Sequence, residues 1–192
     1  RREWDPRGGN WDALWLTYFK TDRNRKYEGW SVEQVAKERD VSPLDAIFDL
    51  LIEEDLQLSF HGTFIHSEAI SDFQSHPLNM VASDAMLVGS HPSTMAYGTY
   101  PKVLGDMVRE ERRMSLPEAL RKMTSYPAQR LGLPDRGLLV EGSKADIVIF
   151  DPNTVQANAT DADPCQFSTG IEYVIVNGQI VIEQGTHTGA LP

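Results

Sequence analysis

One cysteine, Cys165, stands in 192 residues. A lone thiol cannot close an intrachain disulfide, so a reducing, cytoplasmic setting is the expectation. Basic residues are short as well: 18 Lys and Arg face 28 Asp and Glu, a formal net charge of -10 with a pI near 4.9. A surface that tracks phosphates needs a basic patch. The cluster Arg109, Arg112 and Arg113 alternates with Glu110 and Glu111 and reads as a solvated helix face. The expected partners therefore include neither nucleic acid nor a membrane. No apolar run approaches the roughly 20 residues that span a bilayer, and Arg1 to Asp5 lack the apolar stretch of a secretion signal. The chain opens on Arg1 and not Met, which leaves a processed, trimmed or partial chain as an open reading.

Catalytic signatures are sparse too. There is no Gly-x-Ser-x-Gly elbow, phosphate loop or dinucleotide fingerprint, and no His-x-His, His-Glu-x-x-His or Cys-x-x-Cys pattern. A catalytic zinc wants about three protein ligands and an open position. His61, His66, His76 and His91 cluster in the middle third, but His76-Pro77 and His91-Pro92 read on residue identity as structural or rim positions. Cys165, between Pro164 and Gln166, has nothing beside it in sequence to activate a thiolate and reads as packing or surface.

What is present is a globular composition, 41% hydrophobic, with enough chain for one or two domains. Leu14 to Phe19 is an apolar, aromatic run of strand length, followed by a polar loop from Lys20 to Lys26. Ser31 and Gln34 form a capping box, and Ser42-Pro43 opens a second helix. Leu44, Ile47, Phe48, Leu51 and Ile52 recur there at the spacing of one buried face. Leu58 to Ile65 is strand-like, and Ser67 can cap a helix carrying Ile70 and Phe73 up to His76-Pro77. Leu78 to Ala82 reads as a strand ending in Ser83-Asp84, and this alternation favours an α/β fold with parallel strands. From Pro101 a helix places Val103, Leu104, Met107 and Val108 inward. Ser115 and Glu118 form a second capping box, opening a helix with Leu116, Leu120 and Met123 on one face, and Pro127 starts a short helix ending near Gly132.

After Gly137 the pattern turns all-β. Ala145 to Pro152 is a β-branched run, and Val174 to Ile182 is a hairpin around Asn177-Gly178, a pair suited to a type I′ turn. The continuous apolar character predicts strands covered on both faces. Three strands make only part of a sandwich, so partner strands must come from Leu14–Phe19, another copy or elsewhere. The expected division is 1–137 and 138–192.

Asp84 is the sharpest candidate, because a carboxylate at the carboxyl end of a buried strand sits where α/β folds place their sites. The competing reading, that Asp84 caps a turn or helix start, carries equal weight from position alone. Tyr97-Gly98-Thr99-Tyr100-Pro101 reads as a loop overhanging that strand end, either an ordinary Gly/Pro loop or a substrate wall.

Several linked motifs then carry a resemblance. Ser115 to Thr124, Pro127 to Leu133, Asp135 to Gly137, Gly142 and Ala145 to Asp151 resemble the carboxyl-terminal signature of the amidohydrolase superfamily. Tyr27-Glu28-Gly29, Val81 to Asp84, Tyr97 to Gly105, Val108 to Glu111, Gly170 to Gly178 and Gly185 to Pro192 resemble its D-aminoacylase (N-acyl-D-amino-acid deacylase) branch, over about residue 10 to the end.

That resemblance implies the carboxyl-terminal part of a (β/α)8 TIM barrel with a helical insertion, plus part of a small β-sandwich. It implies zinc-dependent hydrolysis of N-acyl-D-amino acids, with Asp84 matching the aspartate that contacts the metal and moves the proton, and with His91 and Tyr97 as substrate-binding candidates. The family's Gly-Ser-Asp-Gly is Ala82-Ser83-Asp84-Ala85 here, and Ser93-Thr94-Met95 follows His91-Pro92 where relatives often carry an arginine. No segment matches the family's other zinc ligands, so the chain is expected to need a missing amino-terminal part of the barrel, or another chain, and to be inactive alone. The competing expectation is a non-catalytic module derived from such an enzyme.

Overall fold

Leu14 to Phe19 does form a strand, β1, and it pairs antiparallel with β2 (Leu58–Gly62), Leu14 opposite Gly62 and Phe19 opposite Leu58. A register shift between Leu16 and Tyr18 bends the pair. The computed structural model describes residues 10–62 and 67–192, so His66 and the predicted strand end at Thr63 to Ile65 lie outside it. The chain divides into two compact units, the first built from the residues up to 66 with 85–96 and 160–165, the second from 67–84, 97–159 and 166–192.

In the first unit two helices join β1 to β2. Helix α1 (Val32–Arg39) starts on the expected capping box: Ser31 Oγ accepts from Gln34 N–H at 3.2 Å, and Gln34 Oε1 accepts from Ser31 N–H at 2.7 Å. Helix α2 (Pro43–Glu53) starts at Ser42, whose hydroxyl accepts from Asp45 N–H at 3.1 Å. The core gathers Leu14, Leu16, Phe19, Tyr27, Val32, Val35, Ala36, Ala46 and Leu50, with Ile47 packed against it. Burial of each large side chain contributes about 1.5–3 kcal/mol.

The buried face of α2 differs from the expected one. Ala46 and Leu50 are inside, while Leu44, Phe48 and Ile52 are 48%, 54% and 78% exposed. Two adjacent apolar rows run along this helix, and the small core of this unit accommodates only one.

The loop after β1 is fixed by a buried carboxylate. Glu54 is fully buried and accepts from Thr21 N–H at 2.7 Å, Thr21 Oγ1 at 2.6 Å and Asn24 Nδ2 at 2.7 Å. Burial pushes its carboxyl up, but these donors outweigh that, and the net direction is down.

The second unit holds α3 (Ser67–Ser75), most of α4 (Met95–Lys102), α5 (Leu116–Met123), α6 (Ser125–Leu131) and the strands β3 (Ile147–Phe150), β4 (Ile171–Val176), β5 (Gln179–Glu183) and β6 (Thr186–His187). The strands form a four-stranded antiparallel meander in chain order. Asn177 and Gly178 both have positive φ, 48° and 80°, as the expected tight turn requires. Val81, Val103, Leu104, Met107, Ala119 and Val155 form the core.

Helix α4 starts at Met95 and not at Pro101, so Tyr97 to Pro101, expected as a loop, is helical. Pro101 has no N–H for the carbonyl of Tyr97, four residues earlier. Ser168 Oγ supplies that hydrogen bond at 2.9 Å. The chain continues as a wider π-helix from Val103 to Glu110. Gly98 faces Ala157 so closely that a Cβ would lie 2.8 Å from the Ala157 Cβ. Further along, Arg109 is no solvated arginine: its Nη1 donates to Val155 C=O and its Nη2 to Gln156 Oε1, both at 2.6 Å.

Four more expectations change. Every ladder among the described residues is antiparallel. Leu78 to Ala82 forms no strand, because no described segment pairs with it; its one ladder-like contact is Val81 N–H to Lys122 C=O at 3.2 Å. The meander is not covered on both faces, since Val148, Ile149 and Ile180 are 53%, 49% and 42% exposed; β1, one conceivable partner, is engaged with β2. At Ser115 half of the capping box forms: its hydroxyl accepts from Glu118 N–H, but the Glu118 carboxylate takes both of its hydrogen bonds from Arg121.

Candidate functional site

Asp84 lies in an irregular stretch, among the last residues of its segment of the second unit, with its backbone in the left-handed region at φ 38°. A non-glycine residue held there is strained, and such strain concentrates at functional positions. Its side chain is exposed and makes no hydrogen bond or ion pair to another described residue, so the carboxylate is open to a ligand or a proton.

The stretch leading to Asp84 is fastened from α5. Helix α3 leaves its last carbonyls without intrahelical donors. Lys122 Nζ donates to Gln74 C=O at 2.7 Å and to His76 C=O, and Arg121 Nη2 donates to Pro77 C=O at 3.1 Å. Lys122 is fully buried. Burial pushes its ammonium pKa down, and nearby Glu118 opposes that. His76 itself is exposed, and its Nδ1 accepts from Leu78 N–H at 3.3 Å, a local turn role.

His91 belongs to the first unit. Its Nε2 lies 2.7 Å from Asp161 C=O, which fixes the ring. The ring rests on Gly29, φ 83°, where a Cβ would meet His91 Nδ1 at 2.8 Å; glycine is required there for both reasons. Beside it Glu28 accepts from Phe19 N–H at 3.3 Å and from Ser90 N–H at 2.9 Å, tying the end of β1 to the residue before His91.

His61, on β2, approaches the side chain of that same Asp161: its Nε2 is 4.0 Å from Asp161 Oδ1. Burial pushes the His61 imidazole down, with the Asp161 charge opposing and His91 reinforcing, so the ring is neutral near pH 7. The sequence offered no signal for Asp161, which lies 70 residues beyond His91. Glu28 and Gly29 carried one, through their place in the family motif.

Tyr97 stands in the second unit on α4, its ring 5.5 Å from that of Phe167. Asp84 and Tyr97 are thus on one unit and His91 on the other. Cys165 is exposed, its Sγ 3.8 Å from Ser90 C=O. Among the described residues no group of three or more His, Cys, Asp or Glu side chains is arranged to hold a metal ion. The donors present do not by themselves make a zinc site.

The amidohydrolase family model matches residues 15–182. N-acyl-D-aspartate deacylase of Alcaligenes xylosoxydans xylosoxydans is 41% identical over 150 residues, 78% of this chain and 27% of that protein. The crystal structure of D-aminoacylase superposes with a TM-score of 0.83 at 31% identity, covering 92% of this chain and 36% of that one. N-acyl-D-glutamate deacylase from Bordetella bronchiseptica, solved with zinc and a phosphonate mimic of the tetrahedral intermediate, gives 0.84 at 30% identity, covering 94% and 37%.

A chain matched over most of its length by one family model is a member of the amidohydrolase family. It belongs to the D-aminoacylase branch, with the fold of a partial (β/α)8 barrel plus a small β-sheet. It spans between about a quarter and two-fifths of the length of these relatives.

Proposed function

We propose that this chain is the proton-transferring portion of an N-acyl-D-amino-acid deacylase, hydrolysing the amide to a D-amino acid and a carboxylate. The observation that carries the reading is the exposed Asp84 carboxylate, without a partner among the described residues, at the end of its fastened segment. Asp84 takes a proton from the attacking water and delivers it to the departing amine, a transfer that positioned acid–base groups accelerate by about 10²–10⁴-fold. Zinc, when bound in the family, polarises the amide carbonyl and the water. Among the described residues the chain offers Asp84 to it, so a further part of the barrel, or another chain, is proposed to complete the site.

His91 and Tyr97 are proposed substrate contacts. Residues 1–137 are read as the barrel-derived part and 138–192 as the sandwich segment. Among the described residues no helix is long and apolar enough to cross a membrane, and a cytoplasmic setting is proposed from the lone cysteine.

The test is hydrolysis of N-acetyl-D-amino acids, D-aspartate and D-glutamate included, with zinc present. The chain is assayed alone and after addition of the amino-terminal barrel portion of the D-aspartate relative. Activity is expected in the combined sample and absent with Asp84→Asn. Activity that survives Asp84→Asn overturns the reading. A second reading, a non-catalytic module, is favoured by the lack of a three-donor cluster among the described residues; it predicts no turnover in either sample.

A further inference from the structure

We propose that Lys122 is the positioning residue for Asp84, an inference that rests on the deacylase reading and names the group that holds its acid in place. A lysine with no solvent exposure and no hydrogen-bonded carboxylate is a costly choice for a core position, where a methionine would fill the space without desolvating a charge. Here the ammonium is used at both acceptors it meets. It donates to Gln74 C=O and His76 C=O, at the end of α3 where the helix leaves carbonyls unpaired and its macrodipole is negative.

The backbone of the same residue does the second task. Lys122 C=O accepts from Val81 N–H, three residues before Asp84. The irregular stretch between these two attachments has no strand partner among the described residues, and Leu78 and Met80 on it are exposed. One residue of α5 thus fixes both the start of the stretch and the point from which it runs to Asp84. A left-handed aspartate needs such over-determination, because its backbone relaxes to a commoner conformation once the tether loosens.

The test uses the full chain. Amide hydrogen exchange is compared for wild type, Lys122→Met and Lys122→Arg. Exchange at Val81 is expected to quicken at least tenfold in Lys122→Met, with the amides of β4 unchanged, and to return toward wild type in Lys122→Arg. Unchanged exchange at Val81 in Lys122→Met overturns the proposal. Should Lys122→Met not fold, wild type alone decides: a slowly exchanging Lys122 ammonium resonance coupled across hydrogen bonds to the Gln74 or His76 carbonyl supports it, and a freely averaging ammonium overturns it.

In the combined deacylase sample, Lys122→Met is expected to lower kcat about tenfold with KM within twofold. Full kcat in Lys122→Met beside a dead Asp84→Asn overturns the positioning role alone. Activity in Asp84→Asn overturns the deacylase reading, and the exchange result still decides whether Lys122 holds the segment.

Discussion

The hydroxyl of Ser168 donates to the carbonyl oxygen of Tyr97 at 2.9 Å. That carbonyl is the one Pro101 leaves without its helical donor, so a side chain from a distant segment completes α4. Ser168→Ala should therefore cost about 0.5–1.5 kcal/mol by removing that hydrogen bond. Pro101→Ala restores an N–H at the right spacing, and the double variant should recover much of that loss. Urea unfolding of the four proteins measures the coupling, and additive effects would refute it.

Glu54 gives a prediction in acid. Its carboxyl is held below the ordinary value by Thr21 and Asn24 despite its burial. Such a group adds stability that is complete above the unfolded pKa and disappears as pH falls through the folded one. Stability against thermal unfolding should thus fall from about pH 5 downward. Glu54→Gln should flatten part of that acid limb and cost roughly 1.5–3 kcal/mol at pH 7, the range for hydrogen bonds to a charged group.

Gly98→Ala sets two effects against each other. Alanine favours a helix over glycine by about 1 kcal/mol, but its Cβ would lie 2.8 Å from that of Ala157. Overpacking costs about 1–3 kcal/mol, so a net loss of stability is expected. Gly98→Ala with Ala157→Gly should regain most of it. A single variant more stable than wild type in chemical denaturation would contradict the close approach.

His61 should titrate below an ordinary histidine, because burial opposes its charged form. The Asp161 charge works the other way, so Asp161→Asn should lower the His61 pKa further. Imidazole carbon shifts followed by NMR across pH 4 to 8 check both directions. An upward movement in Asp161→Asn would show that the two side chains do not interact as the structure has them.

Much of the self-contained local chemistry was legible in the sequence, although the Ser115 box formed only by half. Ser31 with Gln34, Ser42 before Pro43, and Asn177-Gly178 each specify their own geometry, and each forms as expected. What depended on distant partners was not legible. Pro101 reads as a helix start until Ser168 is seen to satisfy Tyr97. Leu78 to Ala82 reads as a strand, but strands require neighbours, and among the described residues only the Lys122 carbonyl pairs with it, at Val81. In α2 the periodicity named one buried face, Leu44 to Ile52, whereas the core took Ala46 and Leu50 from the adjacent row. For the proposed site, the motif singled out Asp84; Asp161 and Lys122 had no such signal, because an aspartate in a polar loop and a lysine on a helix carry no sign of what they meet.

Strand β3 lies at the edge of the meander, four residues long, with Val148 and Ile149 well exposed. An unpaired, apolar edge invites another chain to extend the ladder. Two features limit that growth. Asp146, bound to Asn177 N–H and Arg136, precedes the strand, and Asp151-Pro152 follows it, where the ring supplies no donor. An incoming strand would find room for only a few hydrogen bonds before meeting charge and proline at either end. The same bracketing that terminates β3 thereby acts as a guard against fibrillar stacking of the whole chain.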